Sequence, residues 1–404
     1  MISGMKHAIA GTVRRAVPRG VAQGLRGSYR VAWAHAASAR YGYPARYLKV
    51  IAVVGTTGKT TTAMYLDSIL RASGFTTALM TSETTTIKDT TRPAADMLSA
   101  RRVQGFLRRA KRADVDYVVV EASAAALGAR FFHTVAVECV VMTNTEPGTD
   151  DAEAIAQLLA YVPRYVVLNA DDAAYAQLKD YEAAEHKMSY GTEVAADSRI
   201  RQVKLYKRGS EAQLLIDHHT TLELGTQLPG RHNVYNMTAA AMAAYLMYIK
   251  LEAIQDGIAE LAPLPGRFER LEADKPYDVI VDVASTPAAL ATVLDSARGM
   301  AKNRLIVVTS TTDNGVLAEV LAQADRVFLY SITDDLTMPP SIIAAGSEPK
   351  TEVIAGRTET LTKALGIARA GDVVVIIATD ETYAADRHAL LGDTVVPGPE
   401  TKQD

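Results

Sequence analysis

The run Ile51-Ala52-Val53-Val54-Gly55-Thr56-Thr57-Gly58-Lys59-Thr60-Thr61-Thr62 carries the residue types needed to hold a polyphosphate. Gly55 and Gly58 allow the backbone to curl so that successive N–H groups point at phosphate oxygens, and a helix starting there presents its positive end to the same anion. Lys59 would reach the outer phosphates as a point charge. The Thr60 hydroxyl would give one oxygen to magnesium, which prefers octahedral oxygen ligands and keeps several waters. The ATP-binding set read from this run is Gly55, Thr56, Thr57, Gly58, Lys59, Thr60 and Thr61. The strict pattern has one more glycine, where this chain has Val53. A plain strand-turn-helix with a solvated lysine is the competing reading; the buried-looking strand before the turn and the helical pattern after it favour the cradle.

Such a loop needs a sheet to hold it. From Tyr47 onward, short Val/Ile-rich runs alternate with longer helical patterns, the mark of a parallel sheet covered by helices. Strands are expected at Val50 to Val54, Tyr117 to Val120, Cys139 to Met142 and Tyr165 to Leu168, with helices at Lys59 to Ala72 and Asp171 to Leu178. Between Ile200 and Leu224 a shorter alternation predicts a small antiparallel insertion, followed by a helix from near Asn233. Pro263, Pro265 and Gly266 break that pattern. A second alternation follows, with strands at Val279 to Val283, Leu305 to Val308, Arg326 to Tyr330 and Val373 to Ile377. The fold class is α/β: a P-loop central domain over 47–265 with a mostly parallel sheet, then a Rossmann-like domain over 266–396 and a polar tail, 397–404.

With 404 residues, 48% of them apolar, the chain can bury a core in each of two or three domains. One cysteine, Cys139, excludes an internal disulfide or a thiolate metal cluster and fits a reducing compartment, the cytoplasm by default. Cys139 stands in an apolar run and reads as a packed small hydrophobe. Charge is unevenly placed. No acidic residue precedes Asp67, while Lys6, Arg14, Arg15, Arg19, Arg26, Arg30, Arg40 and Arg46 punctuate residues 1–46, a basic helical leader. The leader has neither an apolar stretch of membrane-spanning length nor a secretory cleavage pattern. It could contact an anionic membrane surface as a peripheral element at its inner face, meet a substrate's diphosphate, or pack on the core with its arginines solvated.

The loop resembles that of the Mur ligase family, G-T-x-G-K-S/T without the leading glycine, and further segments match in the same order. Leu228-Pro229-Gly230-Arg231-His232-Asn233-Val234-Tyr235-Asn236 is similar to the family's G-x-x-N-x-x-N; Leu264-Pro265-Gly266-Arg267-Phe268-Glu269 to P-G-R-x-E; Val281 to Leu290 to D-Y-A-H-T-P-x-x-L; and Asn169-Ala170-Asp171-Asp172 to N-A-D-D. The resemblance covers about residues 47 to 385 and is nearest to the MurE-like branch. It implies that ATP phosphorylates a substrate carboxylate, an amine attacks the acyl phosphate, and phosphate leaves, with ATP and Mg2+ required. The substrates it implies are a nucleotide-linked, UDP-MurNAc-peptide-like acceptor and an amino acid, with no nucleic acid partner. By the same resemblance Lys59 and Glu121 are catalytic, Thr60 and Glu121 hold magnesium, Asn233 and Asn236 face adenine, Arg267 and Asp282 meet phosphate and ribose, and Thr90, Thr91 and Ser123 contact the acceptor. The plainer readings are a solvated strand-end Glu121, an N-capping Asn233, an ion pair for Arg267 and Asp282, and a turn at Thr90-Thr91-Arg92-Pro93.

The chain departs from the pattern in several places. The family's T-N-x-x-x-D-H-L-D reads Thr143-Asn144-Thr145-Glu146-Pro147-Gly148-Thr149-Asp150-Asp151, without the histidine, and no Lys occurs between Lys111 and Lys179 to supply the carbamylated lysine. Asp150, Asp151 or Glu146 could substitute as oxygen ligands. The A-H-T-P histidine is Ser285, the G-K-G-H-E segment is Ala378-Thr379-Asp380-Glu381-Thr382, and D-N-P-R is Ile332-Thr333-Asp334-Asp335. The front end is too short for the family's UDP-binding domain, as in its short forms. Three functions follow: a peptide ligase of cell-wall precursor synthesis, a ligase with another acceptor such as the folylpolyglutamate type, or a nucleotide-binding scaffold that has lost catalysis.

Overall fold

The computed structural model describes residues 19–94, 99–146, 148–161, 163–180, 184–193, 195–271, 275–284, 286–310, 321–331, 337, 339, 350–379, 382–383, 387 and 390. By its internal contacts the chain forms two units, one running to Ser198 and including Ala239–Gly257, the other combining Arg199–Thr238 with the chain from Ile258 onward. The second unit resumes at Ile258.

In the first unit the parallel strands are β1 (Lys49–Val54), β2 (Thr77–Met80), β5 (Tyr117–Ala122), β6 (Cys139–Met142), β7 (Tyr165–Asn169) and β8 (His186–Gly191), with β3 (Thr84–Ile87) and β4 (Thr90–Pro93) adding an antiparallel edge. Their order is β8-β7-β6-β1-β5-β2-β3-β4. Val50 to Val54 are fully buried because helices cover both faces of a parallel sheet, which is why β1 reads as an unbroken apolar run. The chain leaves β1 toward β2 on one side and leaves β5 toward β6 on the other, so the connections diverge between β1 and β5. That divergence opens a crevice at the strands' carboxyl ends, where ligands bind in open α/β sheets.

Helices Lys59–Ala72, Ala100–Arg112, Ala124–Gly128 and Asp151–Leu159 belong to this unit. The helix expected from Asp171 is only Tyr175–Leu178, because the Asp172 carboxylate accepts from the Thr145 and Ala174 N–H groups and holds the preceding residues as a turn. Thr90-Thr91-Arg92-Pro93 is an exposed edge strand rather than a turn; the reversal sits before it, at Lys88 with φ 51°. Cys139 is buried in β6, and burial drives its thiol well above the ordinary range.

The described part of the leader is a helix, Arg19–Tyr41, laid against Ala100–Arg112. Ala34 and Ala37 pack with Ala100, Arg30 donates to the Gly128 carbonyl at 3.0 Å and Arg108 to that of Tyr41 at 3.2 Å. Small residues let the two helices approach closely, so this side of the leader helix packs on the core. No described helix is long and apolar enough to cross a membrane.

β9 (Ser198–Tyr206) leads into the second unit, which holds β10 (Gly209–Ile216) and β11 (Thr220–Thr226), an antiparallel pair in the region of the expected insertion, and a six-stranded sheet. That sheet runs β12 (Glu269–Leu271), β13 (Asp278–Asp282), β17 (Val373–Ile377), β14 (Leu305–Ser310), β15 (Arg326–Ser331), β16 (Thr351–Ala355), parallel except at β12–β13. Its two faces bury separate apolar clusters, one around Leu290, Leu294 and Val307, the other around Ile306, Phe328 and Ile376. Ser285, Ile332 to Asp335, Asp380 and Glu381 lie outside the described residues.

Candidate active site

The loop between β1 and helix Lys59–Ala72 takes its shape from two glycines and from the loop after β6. Gly55 has φ 137°, and a Cβ there would lie 2.2 Å from Thr143 Oγ1 and 2.6 Å from the Asn144 carbonyl oxygen, so only glycine lets the chains pass. Gly58 caps the helix in the left-handed region, φ 76°. Sequence pattern alone does not single out the clamp formed by Thr143 and Asn144. Thr143 Oγ1 donates to the Thr57 carbonyl at 2.6 Å; Asn144 takes the Thr57 N–H on Oδ1 at 2.8 Å and donates to Thr57 Oγ1 at 2.6 Å; the Asn144 carbonyl takes the Thr56 N–H at 3.0 Å. The clamp is itself anchored: Asn169 donates to the Thr143 carbonyl at 2.7 Å, and Asp172 takes both the N–H and the hydroxyl of Thr145 at 2.7 Å. Two of the amides expected to face an anion, those of Thr56 and Thr57, are thus used to fix the loop. The cradle they leave is that of Gly58, Lys59, Thr60 and Thr61 at the helix start.

Three side chains meet behind that cradle. Glu121, on β5 opposite Val53 of β1, is buried. Its Oε2 accepts from Thr60 Oγ1 at 2.9 Å and from the Ser82 N–H at 3.0 Å. Lys59 Nζ lies 3.9 Å from Glu121 Oε1 and donates to the Thr56 carbonyl at 2.6 Å. An ammonium, a hydroxyl and a carboxylate at the carboxyl ends of adjacent strands form a set that can neutralise phosphate charge and offer hard oxygen donors to a divalent cation. One hydroxyl and one carboxylate fit magnesium, which keeps most of its waters. Among the described residues no three His, Cys, Asp or Glu side chains gather as a larger metal site. Asp151 accepts from Thr56 Oγ1 at 2.5 Å and from the Glu146 N–H at 3.4 Å, so its carboxylate serves the loop.

The remaining sequence-derived positions have local partners. Ser123 caps helix Ala124–Gly128, accepting from the Ala126 N–H at 3.3 Å. Thr91 Oγ1 shares a hydrogen bond with Thr86 Oγ1 at 3.0 Å, and Thr90 is exposed beside it.

In the second unit, helix Arg231–Leu246 begins before Asn233, which is therefore not its cap. Asn233 Nδ2 donates to the Pro229 carbonyl at 2.8 Å, and Asn236 donates to Asn233 Oδ1 at 3.2 Å; both are buried. Asp282 takes the Phe268 N–H at 2.6 Å, closing the turn that carries half-buried Arg267. Glu269 takes the Gly266 N–H at 2.9 Å and is bonded by Tyr383 and Arg387. His232 ties these segments together, with Nδ1 2.8 Å from Ser296 Oγ and its ring edge-on to Phe268 at 5.3 Å. Although one edge of the residue reaches solvent, packing around the ring pushes its pKa down to about 4.

Fold and loop together define a P-loop nucleotide-binding α/β protein with a second, Rossmann-like unit. Residues 53–244 match the Mur ligase middle domain and residues 266–379 the Mur ligase glutamate ligase domain. The chain is 30% identical to the UDP-N-acetylmuramoyl-L-alanyl-D-glutamate--2,6-diaminopimelate ligase of Geobacillus kaustophilus, over 91% of this chain and 80% of that one. It is 26% identical to the Clostridium botulinum protein of the same name, over 91% and 82%. The chain belongs to the Mur ligase family. A solved structure of a diaminopimelate ligase of that name superposes with a TM-score of 0.63 at 26% identity, covering 82% of this chain and 72% of that one. Mycobacterium tuberculosis folylpolyglutamate synthase complexed with ADP superposes at 0.70 and 17% identity, covering 91% and 95%, a likeness of fold alone.

Proposed function

We propose that this protein is an ATP-dependent carboxylate-amine ligase that adds an amino acid to a UDP-MurNAc-peptide-like acceptor in peptidoglycan precursor synthesis. The observation that carries the reading is the meeting of Lys59, Thr60 and Glu121 behind a loop held open by Thr143 and Asn144. The names of the 2,6-diaminopimelate ligases support the acceptor class, and a cytoplasmic site of action follows from it.

The chain's own residues account for positioning and charge. The amides at the start of helix Lys59–Ala72 receive the phosphates, and Lys59 swings from the Thr56 carbonyl to the transferring group, where its charge offsets what develops in flight. Thr60 and Glu121 would hold Mg2+, which when bound neutralises phosphate charge and aligns the phosphoryl group. Ser123, past the carboxyl end of β5, would orient the acceptor carboxylate, and Thr90 and Thr91 would contact the acceptor from the edge strand β4. Asn233 and Asn236 would meet adenine, while Arg267 and Asp282 would meet phosphate and ribose. No protein atom needs to bond covalently to substrate, so the acceleration comes from orientation and electrostatics.

A second reading, a nucleotide-binding scaffold, is favoured by the missing family histidine and by the absence of any Lys between Lys111 and Lys179. Phosphate release decides between them. Release that needs both a muropeptide acceptor and an amino acid, and that falls at least about a thousandfold in Lys59→Ala, supports the ligase. Nucleotide binding without release for any acceptor and amine selects the scaffold.

A further inference from the structure

The basic character of the amino-terminal part continues beyond the leader. Helix Ala100–Arg112 buries Val103, Phe106, Leu107 and Ala110 and turns Arg101, Arg102, Arg109 and Arg112 outward, with Arg108 half-buried and no acidic residue anywhere along it. The leader helix continues that face. Arg40 and Arg101 converge on Tyr41; a hydrogen bond from Arg101, with the charge of both arginines, holds the Tyr41 hydroxyl below the usual phenol range. Past the end of the leader helix, Arg46 lies over the Tyr43 ring at 4.6 Å and Lys111 over the Tyr47 ring at 3.3 Å. Arg40, Arg46, Arg101, Arg109, Lys111 and Arg112 form no ion pair with a carboxylate among the described residues.

Large aromatic rings stand beside these charges. Tyr29 and Trp33, one turn apart, are 69% and 53% exposed, and Arg40 falls on the same helix stripe. Tyr47, 67% exposed, lies under Lys111. Cations that meet lipid phosphates, with Trp and Tyr rings at headgroup depth, are the composition of a membrane-interface surface.

We propose that the face shared by helices Arg19–Tyr41 and Ala100–Arg112 docks on an anionic bilayer. The leader helix does not insert its apolar side, because Ala34, Ala37 and Ser38 are already buried in the protein. Contact therefore rests on charge and a few rings, which makes it reversible and salt-sensitive. The whole chain carries a net charge of -3, so the attraction is local and orients the molecule. A single-stranded nucleic acid is less well matched: stacking needs open ring faces beside the cations, and Tyr43 and Tyr47 carry Arg46 and Lys111 over theirs.

Trp33 is the chain's single tryptophan, so the full-length protein reports its own docking. Trp33 emission should move to shorter wavelength with phosphatidylcholine vesicles containing roughly one-third phosphatidylglycerol, stay put with phosphatidylcholine alone, and return at high salt. Arg101→Gln, Arg109→Gln and Arg112→Gln together should weaken binding by about a hundredfold, roughly fivefold per charge. Should circular dichroism show that triple variant unfolded, Arg40→Gln with Arg46→Gln, expected to weaken binding by roughly twentyfivefold, decides instead. Undiminished binding by the folded variant, equal shifts on neutral vesicles, or tighter binding to oligouridylate than to the vesicles would each overturn the proposal. The test is independent of phosphate release, so it stands or fails apart from the ligase reading.

Discussion

The phosphate loop of the first unit and the Asn233 and Arg267 segments of the second use polar side chains in opposite ways. At the loop, structural and chemical tasks are split: Thr143, Asn144 and Asp151 hold the backbone, leaving Lys59, Thr60 and Glu121 to converge on one another. In the second unit the residues proposed to meet the nucleotide, Asn233, Asn236 and Asp282, also complete local hydrogen bonds. Where holding and reacting are separate, a variant can lose chemistry and keep its fold; where they coincide, the two losses should travel together.

The largest effect that would sharpen this contrast is at Gly55. Gly55→Ala puts a methyl group 2.2 Å from Thr143 Oγ1 at φ 137°, so a loss of about 3 kcal/mol or more in chemical denaturation, with nucleotide binding abolished, is expected. A variant that melts like the parent would show that the loop is not gripped as described. Asn144→Ala comes next. It leaves the Thr57 N–H without its acceptor and costs about 1–3 kcal/mol locally, so the KM for ATP should rise by roughly tenfold or more while the melting temperature falls only a few degrees.

The smallest effect belongs to the second unit. The His232 pKa of about 4 lies below its unfolded value near 6.5, so the neutral ring's contribution is complete above pH 6.5 and is lost as pH falls toward 4. Unfolding free energies from denaturation at pH 7 and pH 5 should differ by about 1 kcal/mol on this account, less than full burial would give because the residue keeps some solvent contact. His232→Gln should flatten that dependence, and an unchanged slope would break the assigned role of the ring.

Much of this was legible beforehand. β1 and β5–β7 were visible as apolar runs because strands buried on both faces must be apolar throughout, and Gly55-Thr56-Thr57-Gly58-Lys59-Thr60 was visible because phosphate binding restricts residue types locally. The β3–β4 edge was not: Thr84–Ile87 and Thr90–Pro93 are polar and partly exposed, so they leave no hydrophobic period. The helix expected from near Asn233 starts at Arg231, and the small offset arises because the Ala/Met run defines its body and not its first turn.

The sequence by itself determined the parallel architecture, the phosphate-binding turn and the basic surplus near the amino terminus, because each is written in neighbouring residues. Only the tertiary structure decided that Glu121 meets Thr60, that Asn144 takes the Thr56 and Thr57 amides, and that Arg40 and Arg101 share a face. Those pairs lie far apart in the chain, and strand order and helix packing, which no local pattern encodes, bring them together.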